Sequence, residues 1–355
     1  MTEKKEGTKP ETPMDARIVS KEDLIAALTA LAQDHTVIAP VDDRTGAVFA
    51  PTQDAAAVRL EYRNTSLSPK AAVFPQIETL LAFQDGVATE TLPEPPETVL
   101  FGARPCDARA LAMLDRVFQR DGIDDPYVAA RRDRLTVIAL ACDEPGPACF
   151  CTSVGGAPDD HTGADVLATD LGEALLMRPV TERGEALLAA LDGARPAEAG
   201  EIEAAQERSA AAAEKIGRVP VPSEPARLLE AFDSEIWAEI AAGCLGCGAC
   251  TYACPTCHCF DLTDEHKRGT GRRVRSWDTC ALPLFTLHAS GHNPRPSTDA
   301  RLRQRVLHKF AYGPETIDEM LCVGCGRCVS VCPSGIDLRR ILARLDGCIA
   351  GGGPG

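Results

Sequence analysis

The sequence predicts an α/β domain followed by a helical, cysteine-rich one, and three observations carry that prediction. Two short apolar runs at 98–101 and 135–141 bracket an amphipathic helical stretch, the strand–helix–strand order of a parallel sheet. Pro220, Pro222 and Pro225 then interrupt the chain where no regular ladder can form. Beyond them the pattern is helical, and one cysteine spacing occurs twice. The expected organisation is a disordered tail over 1–16, an α/β domain over 17–217, a linker at 218–225, a helical domain over 226–348 and a flexible tail at 349–355.

Within the first domain, Ser20 and Asp23 form a capping-box-like start to a helix carrying Leu24, Leu28 and Leu31. Strands are expected at 37–41, 46–51 and 57–62. The run at 98–101 leads into Gly102-Ala-Arg104-Pro-Cys106-Asp107, and a helix follows with Leu111, Met113, Leu114, Val117 and Phe118 on one face. The run at 135–141 leads into Cys142 and a Pro- and Gly-rich loop with Cys149 and Cys151. Residues 197–216, rich in Ala, Glu and Gln, read as an exposed helix. From Ala226, Leu228, Leu229, Phe232, Ile236 and Ile240 keep a helical period.

Lys and Arg total 37 against 52 Asp and Glu, a formal charge of −15 that disfavours nucleic acid or anionic lipid as a partner. No run reaches the roughly 18 apolar residues of a membrane span. The first eleven residues lack a signal-peptide core, so a cytoplasmic location is expected. There disulfides are disfavoured, and 16 cysteines point to metal.

Cys244-Leu-Gly-Cys247-Gly-Ala-Cys250-Thr-Tyr-Ala-Cys254-Pro255 has the spacing C-x2-C-x2-C-x3-C-P, and Cys322-Val-Gly-Cys325-Gly-Arg-Cys328-Val-Ser-Val-Cys332-Pro333 repeats it. In bacterial ferredoxins this run holds cubane [4Fe-4S] clusters, its fourth cysteine ligating the other cluster. One cluster is then expected on Cys244, Cys247, Cys250 and Cys332, and a second on Cys322, Cys325, Cys328 and Cys254. Four-cysteine zinc sites tolerate C-x2-C knuckles but do not call for the doubled run with both prolines.

The segment at 255–321 reads as mostly helix-compatible, which suggests an α-helical ferredoxin-type domain with two cubane clusters inside a bundle. Between His266 and Lys309 it carries ten basic residues and two acids, Asp278 and Asp299. Those cations would raise the potential of an anionic cluster, line a solvated helix or meet an acidic partner. Cys257, Cys259 and Cys280 stand with His258 as a further metal site or as small buried residues, and Cys348 stands apart.

In the first domain, Cys106 and Cys142 follow two strands, and parallel sheets place their sites at the carboxyl ends of strands. With Cys149 and Cys151 they can converge as a third iron–sulfur cluster or a zinc site, or remain free thiols. No G-x-G-x-x-G, G-x-x-x-x-G-K-[ST] or H-E-x-x-H motif is present, and the seven histidines form no nucleophile–base pattern.

With these residues in view, the sequence over roughly 20–345 resembles the β subunits of cytoplasmic sulfhydrogenase-type nickel–iron hydrogenases. It equally resembles the 4Fe-4S dicluster electron-transfer subunit of anaerobic sulfite reductase. Ser68-Pro-Lys70, Phe74-Pro-Gln76 with Glu78, and the Gly102–Asp107 and Cys149-Phe-Cys151 motifs carry the resemblance, together with Trp237 and both cysteine runs. So do Cys254-Pro-Thr-Cys257-His-Cys259-Phe-Asp261, Trp277-Asp-Thr-Cys280, Gly291-His-Asn-Pro-Arg-Pro296 and His308-Lys-Phe310. The resemblance implies an electron-transfer subunit between an FAD-containing, NAD(P)H-linked flavoprotein and a catalytic hydrogenase or sulfite/sulfur reductase subunit. Electrons would pass from the flavin through the N-terminal site to the two C-terminal clusters. Two other readings stand beside it. The first domain could reduce a small molecule at Arg104, Asp107 and Asp143, or it could be a docking scaffold whose cysteines bind zinc or nothing.

Overall fold

The computed structural model describes residues 16–350, apart from Thr45, Asp121 and Ser223. Of the expected tails at 1–16 and 349–355, residues 1–15 and 351–355 lie outside the described residues. Ala16 is buried beside Ile18, Leu176 and Ala205, and Ile349 closes a helix that runs over Leu338–Ala350, so neither belongs to a tail.

Strands β1 (Arg17–Ser20), β2 (Thr36–Asp43), β3 (Gly46–Pro51), β4 (Ile77–Gln84), β5 (Val87–Glu90) and β6 (Thr98–Ala103) come first in the chain. Then come the short pair β7 (Gln119–Arg120) and β8 (Ile123–Asp124), followed by β9 (Leu135–Leu140), β10 (Val166–Asp170), β11 (Ala174–Pro179) and β12 (Arg195–Pro196). An eight-stranded sheet runs β12-β1-β11-β10-β9-β6-β2-β3. Its centre, β2-β6-β9-β10, is parallel, as the strand–helix–strand pattern predicts, and its flanks are antiparallel. Central strands β6 and β9 are almost wholly buried because both faces are covered, hence their unbroken apolar runs.

Ser20 caps the first helix, its hydroxyl accepting from the Asp23 amide at 3.0 Å. The strand expected at 57–62 does not form. Asp54 caps a 3-10 turn at Ala55–Ala57, and only Val58 bridges back to Val41. β6 and β3 already occupy most of the pairing edges of β2, which leaves this segment irregular. The helix in the Ala- and Glu-rich segment is Ala199–Glu214, closed by the Glu198–Glu201 capping box.

The helical reading of 255–321 is corrected. β13 (Phe260–Lys267) and β14 (Thr270–Trp277) form an antiparallel hairpin, and β14 pairs with β4 in a four-stranded sheet ordered β13-β14-β4-β5. Arg268 and Gly269 both have positive φ, 50° and 82°, the two-residue turn that matches strand twist. Asp264 to Arg273 and Glu265 to Arg272 are cross-strand ion pairs. Helices do follow, at Thr298–Leu307 and beyond.

The two parts of the chain interlock. The C-terminal core of Trp237, Leu302, Leu307, Phe310, Leu342 and Leu345 takes in Phe150 and Val154 from the N-terminal cysteine loop. Ala110 and Met113 of the helix Pro105–Phe118 pack on Ile317, Leu321 and Val323. The described residues between 217 and 225 are irregular, and the Val219 amide donates to the Ser153 hydroxyl at 2.9 Å.

Candidate metal centre

Each cysteine run folds as a loop ending in one turn of helix, Ala249–Tyr252 in the first and Arg327–Ser330 in the second. The glycines between the thiols adopt matching left-handed conformations, φ 63° and 77° at Gly246 and Gly248, 63° and 74° at Gly324 and Gly326. That curl turns the thiols of each loop inward. Cys244, Cys247, Cys250 and Cys332 line one cavity, and Cys322, Cys325, Cys328 and Cys254 line a second. The fourth cysteine of each run therefore faces the other run's cavity, and Cys328 lies in the wall of both.

Among the described residues, no three His, Cys, Asp or Glu side chains converge as a single metal ion requires. The thiols ring two cavities instead, an arrangement that suits a multi-iron group with a thiolate at each corner. The surrounding charge fits as well. Lys70, Arg305 and Lys309 are buried, and among the described residues none has a carboxylate ion-pair partner. Lys70 Nζ donates to the Cys254 and Cys257 carbonyls at 3.0 and 2.8 Å and stacks on Trp277. Lys309 Nζ donates to Cys254 Sγ at 3.2 Å, Thr256 Oγ1 at 2.9 Å and the Leu321 carbonyl at 2.9 Å. Arg305 reaches the Cys250 carbonyl at 3.4 Å, and its Nε has no partner. Buried cations without acids are costly unless anions lie close by, and thiolate-ligated iron–sulfur groups are anions.

Burial dominates the electrostatics. It pushes the Cys250, Cys322 and Cys325 thiols up, Cys322 to about 11, despite the opposing pull of Lys309 on Cys322. Bare, they would stay protonated at neutral pH, and a metal is what makes thiolates of such groups. Burial pulls the Lys70 ammonium down, whereas the Cys254 and Cys257 thiols outweigh burial at Lys309 and hold it above its usual range.

The N-terminal quartet gathers beside the second run. Cys106 and Cys142 emerge after the adjacent carboxyl ends of β6 and β9. Cys149 Sγ lies 3.7 Å from the Cys325 carbonyl. Cys142 is close enough to Cys106, Cys149 and Cys151 to interact with each electrostatically, and burial raises all four thiols, Cys142 to about 11 and Cys151 to about 12. Arg104 stacks on Tyr62 with its Nε unpartnered and faces Cys142 and Cys106. Asp107 forms a fully buried bidentate pair with Arg327 of the second run, at 2.5 and 2.9 Å, which locks it into the structure.

The remaining cysteines divide. Cys257 lies beside Cys254 and Cys280 beside Cys259, each close enough to shift its neighbour, and the Cys280 thiol holds Cys259 down at about 6. With no three donors converging, the single-ion reading of Cys257, Cys259, Cys280 and His258 is not met. Cys348 is exposed on the last helix, away from these groups. No local motif marks Arg305 or the Arg327–Asp107 link, although the recurrence of cations at 301, 305 and 309, every fourth residue, is legible in the sequence.

Comparison with known proteins agrees with this geometry. Residues 243–336 match the family model of a 4Fe-4S dicluster domain. The chain is 31% identical over 288 residues, 80% of this chain and 84% of the relative, to the sulfhydrogenase 2 subunit beta of Pyrococcus furiosus. No solved structure matches. No described helix is long and apolar enough to cross a membrane. The paired cysteine cavities, the dicluster match and a relationship spanning four-fifths of the chain place this iron–sulfur electron-transfer protein in the family of sulfhydrogenase β subunits.

Proposed function

We propose that the chain relays electrons between an NAD(P)H-linked flavoprotein and a catalytic partner, either a hydrogenase or a sulfite or sulfur reductase. Two [4Fe-4S] clusters would be held by Cys244, Cys247, Cys250 and Cys332 and by Cys322, Cys325, Cys328 and Cys254. Such clusters supply reversible one-electron storage when bound. The observation that carries this reading is the exchange of fourth cysteines between the two cavities, the ligand pattern of a two-cluster ferredoxin. The chain's own residues bury or half-bury these thiols, Cys247 excepted, and set Lys70, Arg305 and Lys309 close by. Cys106, Cys142, Cys149 and Cys151 form the candidate third iron–sulfur site, supported by their gathering beside Cys325 and by the open Nε of Arg104.

A second reading has one observation in its favour. A cleft of about 840 Å³ beside the carboxyl end of β9 is lined by Arg59, Tyr62, Arg63, Arg104 and Asp143, which would suit a small-molecule site. Asp107, held by Arg327, takes no part in that lining.

Iron, acid-labile sulfide and zinc per anaerobically purified chain test the proposal. About eight irons without zinc mean two cubanes, and about twelve mean a third on the N-terminal quartet. Zinc in place of iron overturns the relay. In Cys106→Ser, a fall from about twelve irons to eight assigns the third site, and an unchanged count removes it.

A further inference from the structure

Arg301, Arg305 and Lys309 recur every fourth residue along the helix Thr298–Leu307 and the π-helical turn His308–Tyr312, so they share one face. All three are buried, but their surroundings differ. Arg301 lines only the first cavity, and its guanidinium is satisfied by the Ala281 carbonyl at 3.0 Å and the Pro296 carbonyl at 2.8 Å. Lys309 lines only the second, bonded to Cys254 Sγ. Arg305 stands between them and lines both. Among the described residues its one hydrogen bond is the 3.4 Å contact to the Cys250 carbonyl, its Nε is open, and no carboxylate pairs with it. The thiols close to it include members of both ligand sets, Cys250 from the first and Cys328 and Cys254 from the second, together with Cys257, which belongs to neither.

We propose that Arg305 is the shared counter-ion of the two clusters, a positioning residue whose buried charge raises both reduction potentials together. The inference rests on the electron-relay reading. Reduction adds one electron to each cluster, with no bond made or broken. A fixed cation in low dielectric favours the more negative form. A guanidinium in the common wall acts on both sites, whereas Lys309, on one side, acts mainly on one.

The test uses the full chain, purified anaerobically, as wild type, Arg305→Gln, Arg305→Lys and Lys309→Gln. Iron and sulfide are counted, and both clusters are titrated by EPR at set potentials. Arg305→Gln is expected to keep its iron while the reduced-to-oxidised ratio of both signals falls about tenfold, about 59 mV for a one-electron couple. Arg305→Lys restores most of that shift, and Lys309→Gln moves only the second signal. A shift in one signal alone or in neither overturns the inference. So does equal loss of iron from both Arg305 variants, because lysine keeps the charge and the arginine would then be a structural support. Wild-type protein without iron overturns the relay reading and this inference with it, whereas iron-loaded protein with unmoved potentials overturns this inference alone.

Discussion

The two cysteine runs share their spacing and their backbone and differ in almost everything around them. Gly246 and Gly324 have the same φ of 63°. Yet Leu245 is 71% exposed and Cys247 is exposed, whereas Cys322 and Val323 are buried. The second run is roofed by the N-terminal cysteine loop, with the Phe150 amide donating to the Gly324 carbonyl at 2.8 Å. Where the first run has Ala249 the second has Arg327, and that one residue reaches Asp107 across the interlock. Local spacing dictates the loop, and the rest of the chain decides which loop meets solvent. In the proposed relay the open run would be the side a partner can approach, and the closed run is the one that lies beside the N-terminal quartet.

The largest test of that asymmetry is Asp107→Ala. It leaves Arg327 buried and uncompensated, and breaking such a pair costs about 3–5 kcal/mol. The unfolding midpoint of the holo chain in urea, under anaerobic conditions, should fall accordingly. The first run has no equivalent pair to lose, because Ala249 carries no charge. A loss below about 1 kcal/mol would mean that Arg327 is satisfied by the Thr65 carbonyl and hydroxyl, which accept from it at 2.9 and 3.0 Å.

Next comes a matched pair, Gly246→Ala and Gly324→Ala. Both place a side chain in the left-handed region at about 1–2 kcal/mol. At Gly246 the added carbon meets nothing nearer than the Ala281 carbonyl at 3.6 Å. At Gly324 it meets the Cys151 amide nitrogen and Cα at 2.5 Å, backbone that cannot rotate away. Gly324→Ala should therefore cost about 1–3 kcal/mol more than its counterpart in the same unfolding assay. Equal losses would mean that the N-terminal loop yields.

The sequence shows this asymmetry only in part. The C-x2-C-x2-C-x3-C-P spacing reports the loops and the exchanged fourth cysteines because both are local or self-repeating. The parallel strands are legible at 98–101 and 135–141 because a strand covered on both faces must be apolar throughout. The hairpin β13–β14 escapes that logic, because all eight residues of β13 are exposed and no apolar alternation marks them. Its traces are the Arg268-Gly269 turn and acids on one strand facing arginines on the other. The roof over the second run is not written locally at all. It depends on Asn64, Asp107 and Phe150 meeting residues more than 170 positions away.

Acid should divide the two exits. After the first run, His258 and His308 pack edge-to-face with centroids 5.4 Å apart. Burial, reinforced by nearby cations, pulls both down to about 4. In the unfolded chain each would titrate near 6.5. Their contribution to stability is complete above pH 6.5 and is lost as pH falls toward 4, by about 1.4 kcal/mol per pH unit for each histidine, because the unfolded state binds the extra protons. The second run ends at Cys332-Pro-Ser-Gly-Ile336 with no such pair. Urea midpoints between pH 4 and 7 should show this slope in wild type and about half of it in His308→Asn. An unchanged slope in the variant would assign the acid response to other groups.

The smallest expected effect isolates a single strut of the roof. Asn64 Nδ2 donates to the Cys325 carbonyl at 3.0 Å, a side-chain link from the N-terminal part of the chain to the second run. Asn64→Ala should cost about 1 kcal/mol, the net worth of one hydrogen bond. Because Cys149 Sγ points at the same carbonyl, the loss should grow in the background of Cys149→Ser if the two side chains brace one loop. The sign of the coupling in that double-mutant cycle decides between two arrangements. Positive coupling means that the second run is held by a continuous N-terminal cover. Simple additivity means that Asn64 and Cys149 hold the loop independently of each other.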